Sequence, residues 1–398
     1  MERLVIGVFV KKNRKKLKIL SFLFSLVFLT SQFIIVGNAE NSSSDTTLEL
    51  DCKSAVLMEA QTGKILYAKN ENEALPPASV TKVMTLLLIM EAIDNGQIKY
   101  TDMVSASEHA CSMGGSQIYL EPGEQMSVDD LLKSVVIASA NDAAVALAEH
   151  VAGSEEAFVN MMNEKAKQLG MENSHFENTN GLDDTTQNHL TSAKDIAIMS
   201  RELIKHKKIT EYSSIWMDSI RNGEFGLTNT NRLIRFYNGA TGLKTGSTSK
   251  AGFCITATAK RDGMELIAVI MASPTRDVRN NCAVKLLNYG FSNFTVYRSQ
   301  ISGLGQIKVL KGTQNYCAPR AQEFSCVVAK NKAKDIQYQI EIEEYLTAPI
   351  KTGQAIGKVK YTLDGADIGC ADIIATQDIS QLGYWQIFLK IISVMAIK

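Results

Sequence analysis

A chain of 398 residues is long for a single hydrophobic core, so at least two domains are expected. Its 45% hydrophobic and 21% charged content excludes a disordered or collagen-like chain. Basic and acidic residues balance at 42 each, but residues 1–39 hold seven basic residues and one acidic, so the rest carries 42 − 7 = 35 against 42 − 1 = 41 and has no basic field for nucleic acid.

The first predicted element is a targeting segment. Lys11, Lys12, Arg14, Lys15, Lys16 and Lys18 precede Ile19–Val36, which contains no charge, and Gly37-Asn38-Ala39 then supplies small residues. That order marks a secretory signal over 1–39. An uncleaved membrane anchor is the alternative, and both export the rest of the chain. Residues 40–49 are polar and read as a linker. Ser54–Ala60 and Lys64–Asn70, split by Gln61-Thr62-Gly63, predict a hairpin. Ser79–Ile93, apolar all round except for Lys82 and Glu91, predicts a buried central helix. Ser127-Val128-Asp129-Asp130 resembles a capping box opening a helix to about Ile137. Further helices are expected over Asp142–Val151, Ser154–Leu169 and Ser192–Lys207.

Beyond residue 230 the period shortens. Thr241–Thr245, Phe253–Thr258 and Leu266–Ala272 read as strands, with a turn at Arg261-Asp262-Gly263, and Arg279–Phe291 returns to helix. Strands at both ends of a helical block predict an α+β domain over 50–295, its antiparallel sheet made from both ends of the segment. Residues 296–377 offer Ile307–Leu310, Ser325–Ala329, Ile336–Ile342, Lys358–Leu363 and Ile368–Ile374 as short strands of a separate β domain. Residues 378–398 place Trp385, Phe388, Leu389, Ile392 and Met395 at helical spacing. This segment either packs on the β domain or lies in a membrane surface, the second being favoured by its terminal position and its Tyr384-Trp385 pair.

The seven cysteines are scattered, with no C-x-x-C, and the five histidines form no H-E-x-x-H. No metal site or cofactor is expected. Cys317 and Cys326 are either buried thiols or a local bridge.

Three motifs stand in order: Ser79-Val80-Thr81-Lys82, Ser139-Ala140-Asn141 and Lys244-Thr245-Gly246. Each is common alone, and a second Lys-Thr-Gly at 351–353 shows it. Their context is more specific, since the first opens a buried helix, the second lies between helices and the third is on a strand. Positions i and i+3 share a helix face, so Lys82 reaches Ser79 Oγ. An apolar surrounding and a second cation, Lys244, both lower an ammonium pKa and would make Lys82 a base. Ser79 at a helix start gains donors for an oxyanion, though Ser is also a common cap. Ser139 is a candidate proton relay between the lysines and Asn141 a candidate for holding a substrate amide carbonyl, although Ser-Ala-Asn suits a plain turn equally well. Lys244 and Thr245 are candidates for a substrate carboxylate. Gly246 leaves the strand edge open for substrate.

With Ala78–Thr85, Gly114-Gly115-Ser116, Glu121-Pro122-Gly123-Glu124, Asn180-Gly181-Leu182-Asp183 and Asn229–Leu233, this triplet resembles the low-molecular-mass penicillin-binding proteins, the serine-type D-alanyl-D-alanine carboxypeptidases. The resemblance implies a β-lactamase-like domain, a β-sandwich and a C-terminal amphipathic anchor on the outer face of the cytoplasmic membrane. It implies an oxyanion hole from the Ser79 and Ser247 N–H groups and places Arg279 near the site for a terminal carboxylate. It also implies peptidoglycan stem peptides as substrate and β-lactam antibiotics as covalent inhibitors. Some relatives carry Arg between the two Asn of Asn229-x-Asn231, where this chain has Thr230. A serine β-lactamase is the first rival, and its deacylating Glu would fall near Glu177-Asn178-Thr179-Asn180. A non-catalytic penicillin-binding scaffold is the second.

Overall fold

The computed structural model describes residues 48–184 and 186–395. The expected signal over 1–39 and almost all of the linker lie outside the described residues. The chain divides into two compact units, Leu48–Val296 and Tyr297 onward.

The first unit is built on a five-stranded antiparallel sheet in the order Ile65–Lys69, Ser54–Glu59, Met264–Ser273, Gly252–Arg261, Ala240–Thr248. The first hairpin of the chain thus pairs with strands about 200 residues later, with Val56 opposite Val269. One face of the sheet carries the helix Arg276–Asn293, capped by Thr275, which accepts from Val278 N–H at 3.2 Å. Leu286 and Leu287 on this helix join Leu57, Ile255 and Leu266 in one core. The other face carries the helical block, whose centre is the helix Lys82–Asp94. Val83, Met84, Leu86, Leu87, Ile89 and Met90 are all buried, as an apolar sequence without a polar face requires. Ser127, Ser154 and Ser192 each cap the next helix by accepting an N–H three residues on, at 3.1 Å.

Three local features depart from the sequence pattern. The central helix begins at Lys82, and Ala78–Thr81 ahead of it is a 3₁₀ turn, so Ser79 stands before the α-helix rather than in its first turn. The helix opened by Ser127 is α only to Lys133 and continues as a π turn, Ser134–Ala138. The hairpin Met217–Ile220 with Phe225–Thr228 has no clear alternation in sequence and was not expected.

The second unit has a four-stranded sheet in the order Pro319–Ala321, Ala366–Ala375, Ala355–Leu363, Gln337–Ile342, and a three-stranded sheet in the order Tyr316–Cys317, Ile307–Leu310, Tyr345–Thr347. Ile307, Val309 and Leu346 from the smaller sheet share one core with Val359, Tyr361 and Ile373 from the larger. The Tyr361 and Phe324 rings stack at 4.0 Å in that core. Cys317 and Cys326 are both thiols, with no disulfide between them. The last helix is Tyr384–Met395. It starts later than position 378, because Asp378 accepts from Thr352 N–H at 2.6 Å and Ile379 is buried in the β core. Its described apolar side chains, Tyr384 and Trp385 among them, are exposed. No helix among the described residues is long and apolar enough to cross a membrane.

Candidate active site

All three motifs meet in the first unit. Ser79 is half-buried, and Lys82 Nζ stands 3.0 Å from its Oγ. The same Nζ lies 2.5 Å from Asn141 Oδ1 and 2.7 Å from the Asn180 carbonyl. A neutral amine has two N–H bonds and one lone pair. With both N–H groups donated to the two carbonyl oxygens, the lone pair is left for the Ser79 hydroxyl. Lys82 is wholly buried. Burial, then the charge of Lys244, push its pKa well below the usual lysine value, against an opposing pull from Asp142.

Lys244 Nζ donates to Ser139 Oγ at 2.7 Å and to the Thr245 carbonyl at 3.0 Å. Burial and then the Arg279 charge bring its pKa down to about 7. Ser139 follows the π turn with φ 65°, and this left-handed step turns its hydroxyl out of the helix toward Lys244. Among the described residues its Oγ is bonded to Lys244 and not to Lys82.

Asn141 opens the helix Asn141–Ala152. Its Oδ1 accepts from Lys82, and its Nδ2 donates to the Gly114 carbonyl at 2.6 Å; among the described residues one Nδ2 hydrogen is left that could meet a carbonyl. Thr245 Oγ1 donates to Thr230 Oγ1 at 2.9 Å, so the position that departs from relatives sits at the third motif. Ser247 is exposed at the end of the strand.

Gly246 has a tighter reason than the open edge read from sequence. A Cβ there would stand 2.7 Å from Ser79 N and 2.9 Å from the Pro77 carbonyl oxygen, so the strand passes directly against the turn bearing Ser79. Arg279 reaches the strand next to the third motif. Its guanidinium donates to Asn280 Oδ1 at 2.9 and 3.1 Å and to the Cys254 carbonyl at 3.4 Å, on the strand next to Gly246. Its charge reaches Lys244, and among the described residues its side-chain hydrogen bonds go to Asn280 and Cys254. The second Lys-Thr-Gly, at 351–353, falls in a turn of the other unit.

Sequence reasoning missed three supports. The Asn180 carbonyl fixes Lys82. Gly181, at φ +84°, packs so closely that a Cβ would meet the Ala78 carbonyl oxygen at 1.9 Å. Asp142, wholly buried, accepts from the Ile118 and Leu120 N–H groups at 3.1 Å and pins the 114–120 loop beside Asn141. The Asn-Gly dipeptide at 180–181 signals a turn, but nothing local says that the turn contacts a lysine 98 residues away.

Comparison with known proteins identifies the family. Residues 39–275 match the family model of D-alanyl-D-alanine carboxypeptidase, and residues 291–381 match that of the penicillin-binding protein 5 C-terminal domain. The D-alanyl-D-alanine carboxypeptidase DacF of Bacillus subtilis is 44% identical over 354 residues, covering 87% of this chain and 90% of the relative. The structure of penicillin binding protein 5 from Haemophilus influenzae superposes with a TM-score of 0.72 at 34% identity, covering 84% of this chain and 98% of the other. Penicillin-Binding Protein D2 from Listeria monocytogenes, solved in an ampicillin-bound form, is 31% identical with a TM-score of 0.57 over 61% of this chain and 99% of its own. The chain belongs to the D-alanyl-D-alanine carboxypeptidase family.

Proposed function

We propose that Ser79 is the nucleophile that removes the terminal D-alanine from peptidoglycan stem peptides ending in D-Ala-D-Ala. The observation that carries this reading is Lys82 Nζ, buried, 3.0 Å from Ser79 Oγ, with its other two contacts both carbonyl oxygens. Ser79 Oγ attacks the carbonyl of the penultimate residue while Lys82 takes the hydroxyl proton. The N–H groups of Ser79 and Ser247 receive the developing oxyanion. The departing D-alanine amine takes a proton from the Lys82 and Lys244–Ser139 side, and water then releases the shortened peptide. Lys244 and Thr245 meet the substrate carboxylate, with Arg279, on the helix Arg276–Asn293, adding positive charge. Asn141 spends its carbonyl on Lys82 and offers its remaining N–H to the substrate amide.

β-Lactams mimic the scissile amide and leave an acyl group on Ser79, a reading supported by the ampicillin-bound and cefotaxime-bound forms of the Listeria protein. A β-lactamase is disfavoured by one observation. Glu177, the rival deacylating group, accepts from the Gln187 and Asn188 N–H groups at 2.9 and 3.2 Å and serves its own loop. The chain is proposed to act outside the cell, held on the outer face of the cytoplasmic membrane by the helix Tyr384–Met395. Its domains are proposed to follow the divisions 50–295 and 296–377.

The test is incubation with a pentapeptide ending in D-Ala-D-Ala. Release of free D-alanine, lost in Ser79→Ala, is the expected result. Retention of a labelled penicillin by Ser79→Ala would overturn the nucleophile assignment.

A further inference from the structure

His189 lies outside the three motifs, yet it is buried against the turn that carries Ser79. The Glu177 backbone N–H donates to His189 Nδ1 at 3.0 Å. A backbone amide can only donate, so the neutral ring carries its proton on Nε2. Nε2 lies 2.7 Å from Thr81 Oγ1 and therefore donates to it. Thr81 Oγ1 in turn donates to the Ala78 carbonyl at 2.9 Å. The direction of all three bonds is thus fixed by one backbone amide. Burial drives the His189 pKa down to about 4, which keeps the ring neutral, and the Phe176 ring packs edge-on at 5.7 Å.

The end of this chain is a particular peptide group. The Ala78 carbonyl and the Ser79 N–H belong to one plane, with oxygen and hydrogen on opposite sides. Donation to the Ala78 oxygen both orients the Ser79 N–H and polarises it. Ala78 needs such a restraint, since it is a non-glycine residue at φ +48°. From the other side, Gly246 comes close enough that a Cβ would lie 2.7 Å from Ser79 N.

We infer that His189 and Thr81 are positioning residues that aim and polarise the Ser79 N–H as an oxyanion donor, through the relay Glu177 N–H, His189, Thr81, Ala78 C=O. The inference rests on Ser79 being the nucleophile.

The experiment measures acylation by a labelled penicillin in four variants of the full chain, separating the binding constant from the acylation rate constant. Thr81→Val keeps the shape and loses the hydroxyl, whereas Thr81→Ser keeps the hydroxyl. His189→Ala removes the donor, whereas His189→Gln can place an amide N–H where Nε2 stood. Removing an oxyanion donor costs about 10²–10³-fold, so misaiming one should cost roughly tenfold. Thr81→Val and His189→Ala should lose about that factor in the rate constant with binding unchanged, and Thr81→Ser and His189→Gln should recover it. A wild-type rate constant in Thr81→Val overturns the relay, as does equal loss in both members of either pair at matched melting temperature. If one pair fails to fold, the other pair decides alone. Ser79→Ala is run in parallel. Label retained there defeats the nucleophile assignment itself, whereas label lost there while Thr81→Val reacts normally defeats only the relay.

Discussion

At the scale of single residues, the proposed chemistry rests on two buried lysines, Lys82 and Lys244. Lys82 gives up the solvation of an ammonium ion and gains three oxygen neighbours, one of them the Ser79 hydroxyl. Replacing it with Arg keeps a cation that does not deprotonate. Lys82→Arg should fold and lose acylation by about 10²–10⁴-fold, the usual worth of a general base. Near-normal labelling of that variant would remove Lys82 from the mechanism. Lys244 acts on Lys82 through its charge. A protonated Lys244 disfavours a second cation and so depresses the Lys82 pKa. Lys244→Met removes that repulsion, the Lys82 pKa rises, and a higher pH is needed to free the amine. The acid limb of the acylation rate against pH should therefore move to higher pH in Lys244→Met, whatever the loss in absolute rate. A limb that stays in place or moves to lower pH would show that the two amines are not coupled.

Elements meet at this site with almost no clearance, and glycines mark the contacts. Gly181 and Gly170 both have positive φ, +84° and +69°. A Cβ on Gly170 meets nothing within 4 Å, whereas on Gly181 it would lie 1.9 Å from the Ala78 oxygen and 2.7 Å from Thr81 Oγ1. Gly170→Ala should cost only the backbone term, about 1 kcal/mol. Gly181→Ala adds a backbone clash and should cost roughly 3 kcal/mol or more in denaturant unfolding. Similar costs for the two would mean that the 180–181 turn yields easily. The same contrast explains what was legible in sequence. The sheet strands, the capped helices and the three motifs carry local signals: alternation, a Ser before a helix, an apolar run. The roles of Asn180, Gly181 and His189 depend on contacts with residues 98, 103 and 108 positions away, which no local pattern encodes. Asn141 was legible as a site residue but not in its partner, because only the folded chain brings its carbonyl to Lys82. The hairpin Met217–Ile220 with Phe225–Thr228 escaped for a simpler reason. Its strands are four residues long and mix Asp, Ser and Gly with the apolar residues, so no period stands out.

At the scale of the whole molecule, the last helix is the element least explained by packing. Tyr384, Trp385, Phe388, Leu389, Ile391, Ile392 and Met395 are all exposed on it, although an aqueous protein normally buries such a cluster. The proposed membrane docking would lay this apolar helix, with the Tyr384-Trp385 pair at its start, on a membrane surface. The boundary for testing this is set by the β domain. Asp378 bonds to Thr352, Ile379 pairs with Ile350, and Gln381 bridges to Gly312, so a cut at position 378 would damage the second core. Deletion should begin at Tyr384. The shortened protein should keep its melting temperature and its activity on a small D-Ala-D-Ala peptide, yet leave the membrane fraction. The mature amino terminus must be sequenced alongside, because a retained Ile19–Val36 would hold either form on the membrane. A processed, shortened protein that still sediments with membranes would exclude the helix as anchor. A drop in melting temperature with unchanged membrane association would assign it to protein packing instead.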